Sequence, residues 1–463
     1  MIILTFFLLF YENAFIHSPE YFFNRFTIDI IVNECYNVNV NSDKKGNIIN
    51  NLPLFFNVEH EPNPNRIFLF NKGVSGEGPV LYLIDRELRC ADNYALLFAA
   101  AKAASCKRPL KICHLFHNFA SEDKQIFYED ELDILRLDMK KNNLDFKIIY
   151  DKDAYTLVNE ISPACVVIDF DPIREEGDLE RLKYTIYEVD SHNIVPARVV
   201  SDKQEYNAFQ FRKHIYHKIF EYFTEFPEIY SSNSEGYKVL KDFIENKLDR
   251  YADEKNNPDA DVVSNLSPYI KFGFISAQRV ALEVYKSDTL NKNKEAFLEE
   301  LIVRKELADN FCLYNKNYKN LRSVPLWAVR SLLKHKNDFR PVLFSRKELE
   351  NANTSDIIWN AAQKELVQTG KIQGYLRMYW AKMLLQWTET PMDAIDTAIY
   401  LNDKYAFDAP SPNGYVGILW SIAGLHDRAF REENISGKIR RMSYSVLYRK
   451  LKNGNYLKKF GPV

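Results

Sequence analysis

Between residues 78 and 200 short apolar runs alternate with amphipathic stretches of helical length, and this pattern limits the chain more than any other feature. Val80–Ile84, Lys111–Phe116, Phe146–Tyr150, Cys165–Phe170 and Ile194–Val200 read as strands. Asn93–Ser105, a helix around Glu131–Asn142, Asp153–Ile161 and Leu179–Asp190 read as helices between them. Short buried strands separated by helices predict a parallel sheet covered on both faces. Residues 64–200 are therefore expected to form a Rossmann-like α/β domain, with regular structure starting near Gly78. Gly73, Gly76 and Gly78 precede the first strand read here, whereas a dinucleotide fingerprint needs its glycines after that strand. They are taken as linker.

From residue 236 helical periodicity replaces the alternation. Tyr237–Tyr251, Ser276–Lys286, Lys294–Tyr314, Asp356–Thr369, Gly374–Trp387 and Pro391–Asn402 all carry it. Residues 236–463 are expected to form an all-α domain, with 201–235 as a connector. Residues 1–63 are read as an N-terminal extension of no assigned role. Its apolar run at 2–10 is too short to span a bilayer and lacks the basic start of a signal peptide.

The net charge of −2 puts any nucleic-acid surface in a local patch. Six scattered cysteines without a C-x-x-C pair fit a reducing compartment. His114/His117 and His214/His217 lack the further ligands of a metal site, so no metal is expected.

Three segments carry chemistry. In Gly374–Trp387, Leu376, Trp380, Met383, Leu384 and Trp387 form a stripe, which any buried helix shows. Trp359 stands in the preceding helix, however, so three of the five tryptophans fall in one helical pair. Such clustering hints at electron transfer, because indoles are oxidisable. Ser264–Gly273 sets hydroxyls and an amide before a helix start, which suits an anion or simply an N-cap. Leu401–Arg428 is rich in small residues around Trp420 and reads as an exposed functional loop or a loop held by glycine turns.

Taken together, residues 264–284, 296–314, 359–389 and 400–430 resemble class II cyclobutane pyrimidine dimer photolyases of the photolyase/cryptochrome superfamily. The resemblance runs from about Asn63 to Arg449. It implies an α/β antenna-type domain, a helical domain binding FAD, and light-driven repair of pyrimidine dimers in DNA. Tyr251, Ser264, Asn265, Leu266 and Ser267 would hold the FAD phosphates and ribityl chain. Arg377 and Asp408 would form a salt bridge against the flavin ring and favour its reduced, anionic form. Asn402 would face flavin N5. Trp380, Trp359 and Trp387 would pass electrons inward. Glu300 would hydrogen-bond the dimer, with a buried and therefore protonated carboxyl expected. Met378 and Trp420 would pack on the flipped dimer, and Lys255, Asn256 and Arg440 would contact DNA. The basic tail beyond Gly424 would supply the missing positive surface.

The family text near S-R-D-Q-R-V-Q-D-N-W reads Asp85–Tyr94 here, D-R-E-L-R-C-A-D-N-Y, so an antenna chromophore is expected without a stated identity. A monomer inside the cell is expected, with DNA as partner and no membrane. The rival reading is a cryptochrome-like photoreceptor without repair. The chain's end soon after Arg449, together with Glu300, Met378 and Trp420, favours repair over that reading. A (6-4) photolyase would be expected to need a lesion-site histidine, and an inactive flavin-binding DNA scaffold is the remaining alternative.

Overall fold

The computed structural model describes residues 62–461 apart from Glu176, Glu228 and Asn453, so the extension read at 1–63 lies outside them up to residue 61. Six strands occur in the α/β part: β1 (Ile67–Asn71), β2 (Val80–Leu83), β3 (Leu110–Leu115), β4 (Phe146–Ile149), β5 (Cys165–Asp169) and β6 (Ile186–Val189). They form one sheet in the order β1-β6-β5-β2-β3-β4. All neighbours are parallel except the edge pair β1–β6. β2 and β5 are buried along their whole length, which is why they read as unbroken apolar runs. Helices α1 (Tyr94–Cys106), α2 (Glu122–Lys141) and α3 (Ala154–Ile161) follow β2, β3 and β4. Asn93 and Asp153 cap α1 and α3 by accepting from Leu96 N and Thr156 N.

Several expectations need correction. The sheet begins at Ile67, before Gly78; β1, Ile-Phe-Leu-Phe-Asn, is a half-exposed antiparallel edge strand. The glycines after it are more than linker. A Cβ at Gly73 would sit 2.1 Å from Lys183 O, and one at Gly76 2.2 Å from Ser162 O, so backbone packs where side chains would be. Leu179–Asp190 is not a helix: a turn leads into β6, whose Ile186 and Val189 pair with Val166 and Asp169. Ile194–Val200 is not a strand. Pro196 ends the extended run, and Ala197–Val200 makes one helical turn whose first N–H reaches Asp190 Oδ2 at 2.8 Å. The stretch 201–235 contains α4 (Ala208–Tyr222), which buries Ala208, Phe211, Ile215, Ile219 and Tyr222 on one face.

The helical part comprises α5 (Glu235–Asn246), α6 (Ala277–Lys286), α7 (Asn291–Leu298), α8 (Lys305–Tyr314), α9 (Leu326–Lys334), α10 (Ile357–Thr369), α11 (Gly374–Trp387), α12 (Pro391–Tyr405), α13 (Pro412–Ala423), α14 (Tyr444–Leu451) and α15 (Asn455–Phe460). The single helix read over Lys294–Tyr314 is two, joined by a π-helical stretch, Glu299–Arg304, that carries Glu300. π-Stretches of this kind often re-aim side chains at functional sites. The loop read over Leu401–Arg428 is mostly the end of α12 and the whole of α13, with Tyr415, Ile418, Leu419 and Ile422 buried. Its small residues serve close packing: a Cβ at Gly414 would meet Asn402 Nδ2 at 3.0 Å. α10 to α13 share one core containing Trp359, Leu376, Trp380, Leu401 and Leu419.

Charged side chains join the α/β part to the helical part. Arg86, after β2, reaches Asp309 of α8 at 3.1 Å. Arg279 of α6 holds Asp92 through two bonds of 2.8 and 2.9 Å. Arg89 and Glu87 pair in full burial, and His192 Nδ1 lies 2.9 Å from Glu87.

Candidate functional site

A cavity opens where the helical turn Ser267–Lys271, the π-stretch and the segment before α13 converge. Tyr251, Ser264, Leu266, Ser267 and Asp408, read as cofactor residues, line it together with Glu300, read as a lesion contact; Asn265, Arg377 and Asn402 are not among its lining residues. Asn265 adopts a left-handed backbone, φ 59°, which turns Ser264 and Ser267 toward the same space. Its side chain accepts from Lys371 Nζ. Burial pushes the Lys371 ammonium down to about 8 and the Lys271 ammonium, which also faces Lys124, down to about 7. Two hydroxyls, a phenol and Lys271 line the cavity, with Lys371 beside it on Asn265, and make a donor set suited to an anionic diphosphate.

Arg377 on α11 reaches Asp408 at 3.5 Å. Burial alone would raise the Asp408 carboxyl. Arg377, the Ser267 hydroxyl and Lys371 outweigh it and hold the group below its ordinary value. Asn402 is buried on α12 and donates to Asp403 Oδ1 at 3.0 Å.

Glu300 differs from its expectation. Its side chain is half exposed and pairs with Lys255 Nζ at 3.1 Å, whereas a buried carboxyl was expected. Asn256 is exposed and Met378 half-buried beside Arg377. Trp420, which is not among the residues lining the cavity, stands beside two basic side chains: Lys382 Nζ lies 5.2 Å and Arg440 Cζ 6.0 Å from its ring. The reading missed Arg86, His192, Lys305 and Asp309, which close the cavity from the α/β part and α8. No local motif marks them, because buried ion pairs are defined by tertiary partners.

Three indoles stand behind the Arg377 side of α11. Trp359 and Trp380 are fully buried and stack at 6.3 Å with their planes 6° apart. Trp387 meets Trp359 edge-on at 5.5 Å. Hydrogen bonds fix both stacked rings: Trp359 Nε1 donates to Trp380 O and Trp380 Nε1 to Gln363 Oε1, each at 2.9 Å.

Of the histidine pairs only His114 is buried; His214 is partly exposed, and His117 and His217 are exposed. Burial pushes the His114 ring down to about 4, and His117 pairs with Asp85 at 2.6 Å. Among the described residues no group of His, Cys, Asp and Glu could hold a metal, and no helix is long and apolar enough to cross a membrane.

The segment after α13 is tied to α9. Ile435 N donates to Asp338 Oδ2 and Lys438 N to Ser331 Oγ, both at 2.8 Å. His335 bridges Asp338 through Nδ1 at 2.7 Å and Glu432 through Nε2 at 2.8 Å. Both ring nitrogens face carboxylates, so the imidazolium is the form that satisfies both. The hydrogen bonds to Glu432, then Asp338, raise its pKa above the ordinary 6.5. A raised histidine stabilises fully below the unfolded value and loses that contribution as pH rises through the folded one. Amide protection over residues 432–438, corrected for intrinsic exchange, should therefore fall as pH rises above the ordinary histidine value of 6.5. Unchanged protection would mean that Lys334, 2.7 Å from Glu432, holds the segment alone.

No family model matches the chain. It is 38% identical to a deoxyribodipyrimidine photo-lyase of Oryza sativa subsp. japonica, covering 82% of this chain and 87% of the relative. Identity is 36% to the enzyme of that name from Potorous tridactylus, over 83% and 81%, and 32% to that of Methanothermobacter thermautotrophicus, over 83% and 96%. The fold is similar to a bacterial class III photolyase from Agrobacterium tumefaciens, with TM-score 0.65, 16% identity and coverage of 84% and 87%. It is also similar to a cryptochrome from Synechocystis, with TM-score 0.64, 15% identity and coverage of 84% and 89%. Identity above 30% over more than four-fifths of the plant, marsupial and archaeal sequences, with the same α/β-plus-helical architecture, places the chain in the deoxyribodipyrimidine photo-lyase family.

Proposed function

We propose that the chain is a light-driven repair enzyme of class II type that splits cyclobutane pyrimidine dimers in DNA, with FAD held in the cavity described above. One observation carries the reading of the site. Arg377, paired with cavity-lining Asp408, and Trp380, stacked on Trp359, lie three residues apart on α11. Residues so spaced are neighbours on a helix. The cavity wall and the indole pair are therefore one structure.

Tyr251, Ser264, Ser267 and the Asn265 turn would hold the diphosphate and ribityl chain, with Lys371 and Lys271 offsetting their charge. Arg377 would favour a reduced, anionic ring, and the Asn402 amide can donate or accept beside it. When bound, reduced FAD supplies a photoexcited electron to the dimer, and the electron returns once the cyclobutane ring has opened. Trp380, Trp359 and Trp387 would carry electrons inward to prepare the reduced cofactor. At the mouth, DNA phosphate would compete for Lys255 and release Glu300 to the dimer. Met378 and Trp420 would pack on the extruded bases, because a dimer cannot reach a buried ring from inside a duplex. Lys255, Asn256 and Arg440 would contact the backbone, and any antenna chromophore would belong to the α/β part.

A dimer-containing oligonucleotide tests this. The protein with reduced flavin should bind it above undamaged DNA and release monomers under blue light. Trp420→Ala should weaken dark binding by about 1–3 kcal/mol, the usual scale of base–aromatic stacking. Absence of both damage preference and light-dependent monomer release would replace this reading with the photoreceptor.

A further inference from the structure

The tryptophan cluster has a second connection toward solvent, made of tyrosines. Tyr379 precedes Trp380 on α11, is fully buried, and donates its phenol to Asp356 Oδ2. The other oxygen of Asp356 accepts from Ile358 N at 2.9 Å and Trp359 N at 3.0 Å. Phenol, carboxylate and peptide amide thus form an unbroken hydrogen-bonded bridge to the residue that carries the middle indole. α14 packs on α10 beyond it. There Tyr444 and Tyr448, 41% and 39% exposed, stack at 5.7 Å with planes 12° apart. Burial first, and the Asp356 charge second, raise the phenols of both Tyr379 and Tyr444, so both rings feel the same carboxylate. The Trp387 branch ends differently: that indole is 9% exposed and meets the Phe344 ring edge-on at 5.4 Å, and phenyl is a poor electron donor.

We infer that Tyr379 and Asp356 form a proton-coupled electron relay that refills the Trp359 indole, with Tyr444 and Tyr448 as its solvent end. The inference rests on Trp380 and Trp359 being the electron donors assigned under Proposed function. An oxidised Trp359 indole takes one electron from Tyr379. The phenol O–H breaks, and its proton passes to Asp356 Oδ2. The products are a neutral indole, a neutral phenoxyl and a carboxylic acid. Tyr379 then takes an electron from Tyr444 and its proton back from Asp356, while Tyr444 gives its own proton to water. A thiol in solution restores the exposed phenol by giving up one electron and one proton, becoming a thiyl radical. Asp356 suits the base role, because burial outweighs its hydrogen bonds and raises its carboxyl above the ordinary value. Proton transfer also delays the reverse step, since the hole cannot return to Trp359 until the proton leaves Asp356.

Flash excitation of the flavin-loaded full chain without thiol, followed by transient absorption and electron paramagnetic resonance, tests the relay. The wild type should show an indolyl signal that gives way to a phenoxyl signal. Tyr379→Phe, which conserves volume, should keep the indolyl signal and lose the phenoxyl. Asp356→Asn keeps an oxygen for the helix cap but cannot take the proton, so it should give the same loss. Tyr444→Phe should leave a phenoxyl whose decay no longer depends on added thiol. A phenoxyl undiminished in Tyr379→Phe, or a wild-type indolyl that decays with no phenoxyl, overturns the relay alone. Absence of any indolyl signal overturns both the relay and the donor roles of Trp380 and Trp359.

Discussion

Asp309→Ala should cost about 3–5 kcal/mol of stability, the range for breaking a buried ion pair by removing one partner. Asp309 is 1% exposed and accepts from Arg86 Nη2 and Lys305 Nζ, each at 3.1 Å. Burial acts to lower the Arg86 pKa, but Asp309 and then Asp171 outweigh it and raise the guanidinium above its ordinary value. Without Asp309, Arg86 keeps the Phe170 carbonyl at 3.4 Å and the more distant Asp171 carboxylate at 3.7 Å. Lys305 keeps two neutral acceptors, His192 O at 3.1 Å and Asn193 Oδ1 at 2.8 Å. Two buried cations would then share one remote anion, which is the costly situation. Asp309→Asn retains an acceptor oxygen and should cost less. The exposed pair Lys152–Glu160 is shorter, 2.6 Å, yet its removal should cost under about 1 kcal/mol because water already screens it. Urea unfolding checks this through the midpoint at constant slope. A loss below about 1 kcal/mol for Asp309→Ala would show that water reaches Arg86 and Lys305.

What could be read from the sequence follows from how local each signal is. β2 and β5 came through because buried parallel strands are apolar throughout, and β3 and β4 because short, mainly apolar runs stand between helical stretches. β1 did not, because an edge strand with burial on part of one face gives little periodicity. Leu179–Asp190 misled because its charged residues spread apolar positions at near-helical spacing, while the partner strand that fixes Ile186–Val189 lies elsewhere in the chain. The glycines of 414–424 read as a loop although Gly414 lets α13 approach Asn402 of α12 and Gly424 closes against Trp327. The candidate site divides the same way. Ser264–Ser267, Arg377, Asp408 and the tryptophans sit in contiguous motifs, and the structure sets them around one cavity or directly behind it. Arg86, His192, Lys305 and Asp309 carry no motif and became visible only once the α/β part packed on α8. Glu300 lines the cavity but has other surroundings than the burial expected of it. Residue type and helical position gave its place, whereas the pairing with Lys255 depends on a segment 45 residues away.

Trp380→Phe should slow photoreduction of the bound, oxidised flavin at least about a hundredfold, equal to ~2.7 kcal/mol of barrier. Among the three clustered indoles, Trp380 sits on the same helix as Arg377, three residues on, and Trp359 lies behind it at 6.3 Å. A phenyl ring conserves most of the volume but is far harder to oxidise, so the step from the stacked pair to the cavity is interrupted. The substitution also removes the Nε1–Gln363 bond. Gln363 keeps its own bond to Glu350 O at 3.2 Å, so the structural cost should stay near 1–3 kcal/mol, typical of one unsatisfied buried acceptor. The decisive comparison is between two starting states of the same variant. With flavin reduced chemically beforehand, repair per absorbed photon should be nearly that of the wild type, because in the proposed role Trp380 prepares the cofactor and does not touch the dimer. With flavin oxidised at the start, repair should lag by as much as photoreduction does. Equal photoreduction in variant and wild type would remove Trp380 from the path. Equal loss of repair from both starting states would mean that the indole supports the cavity wall and carries no electron.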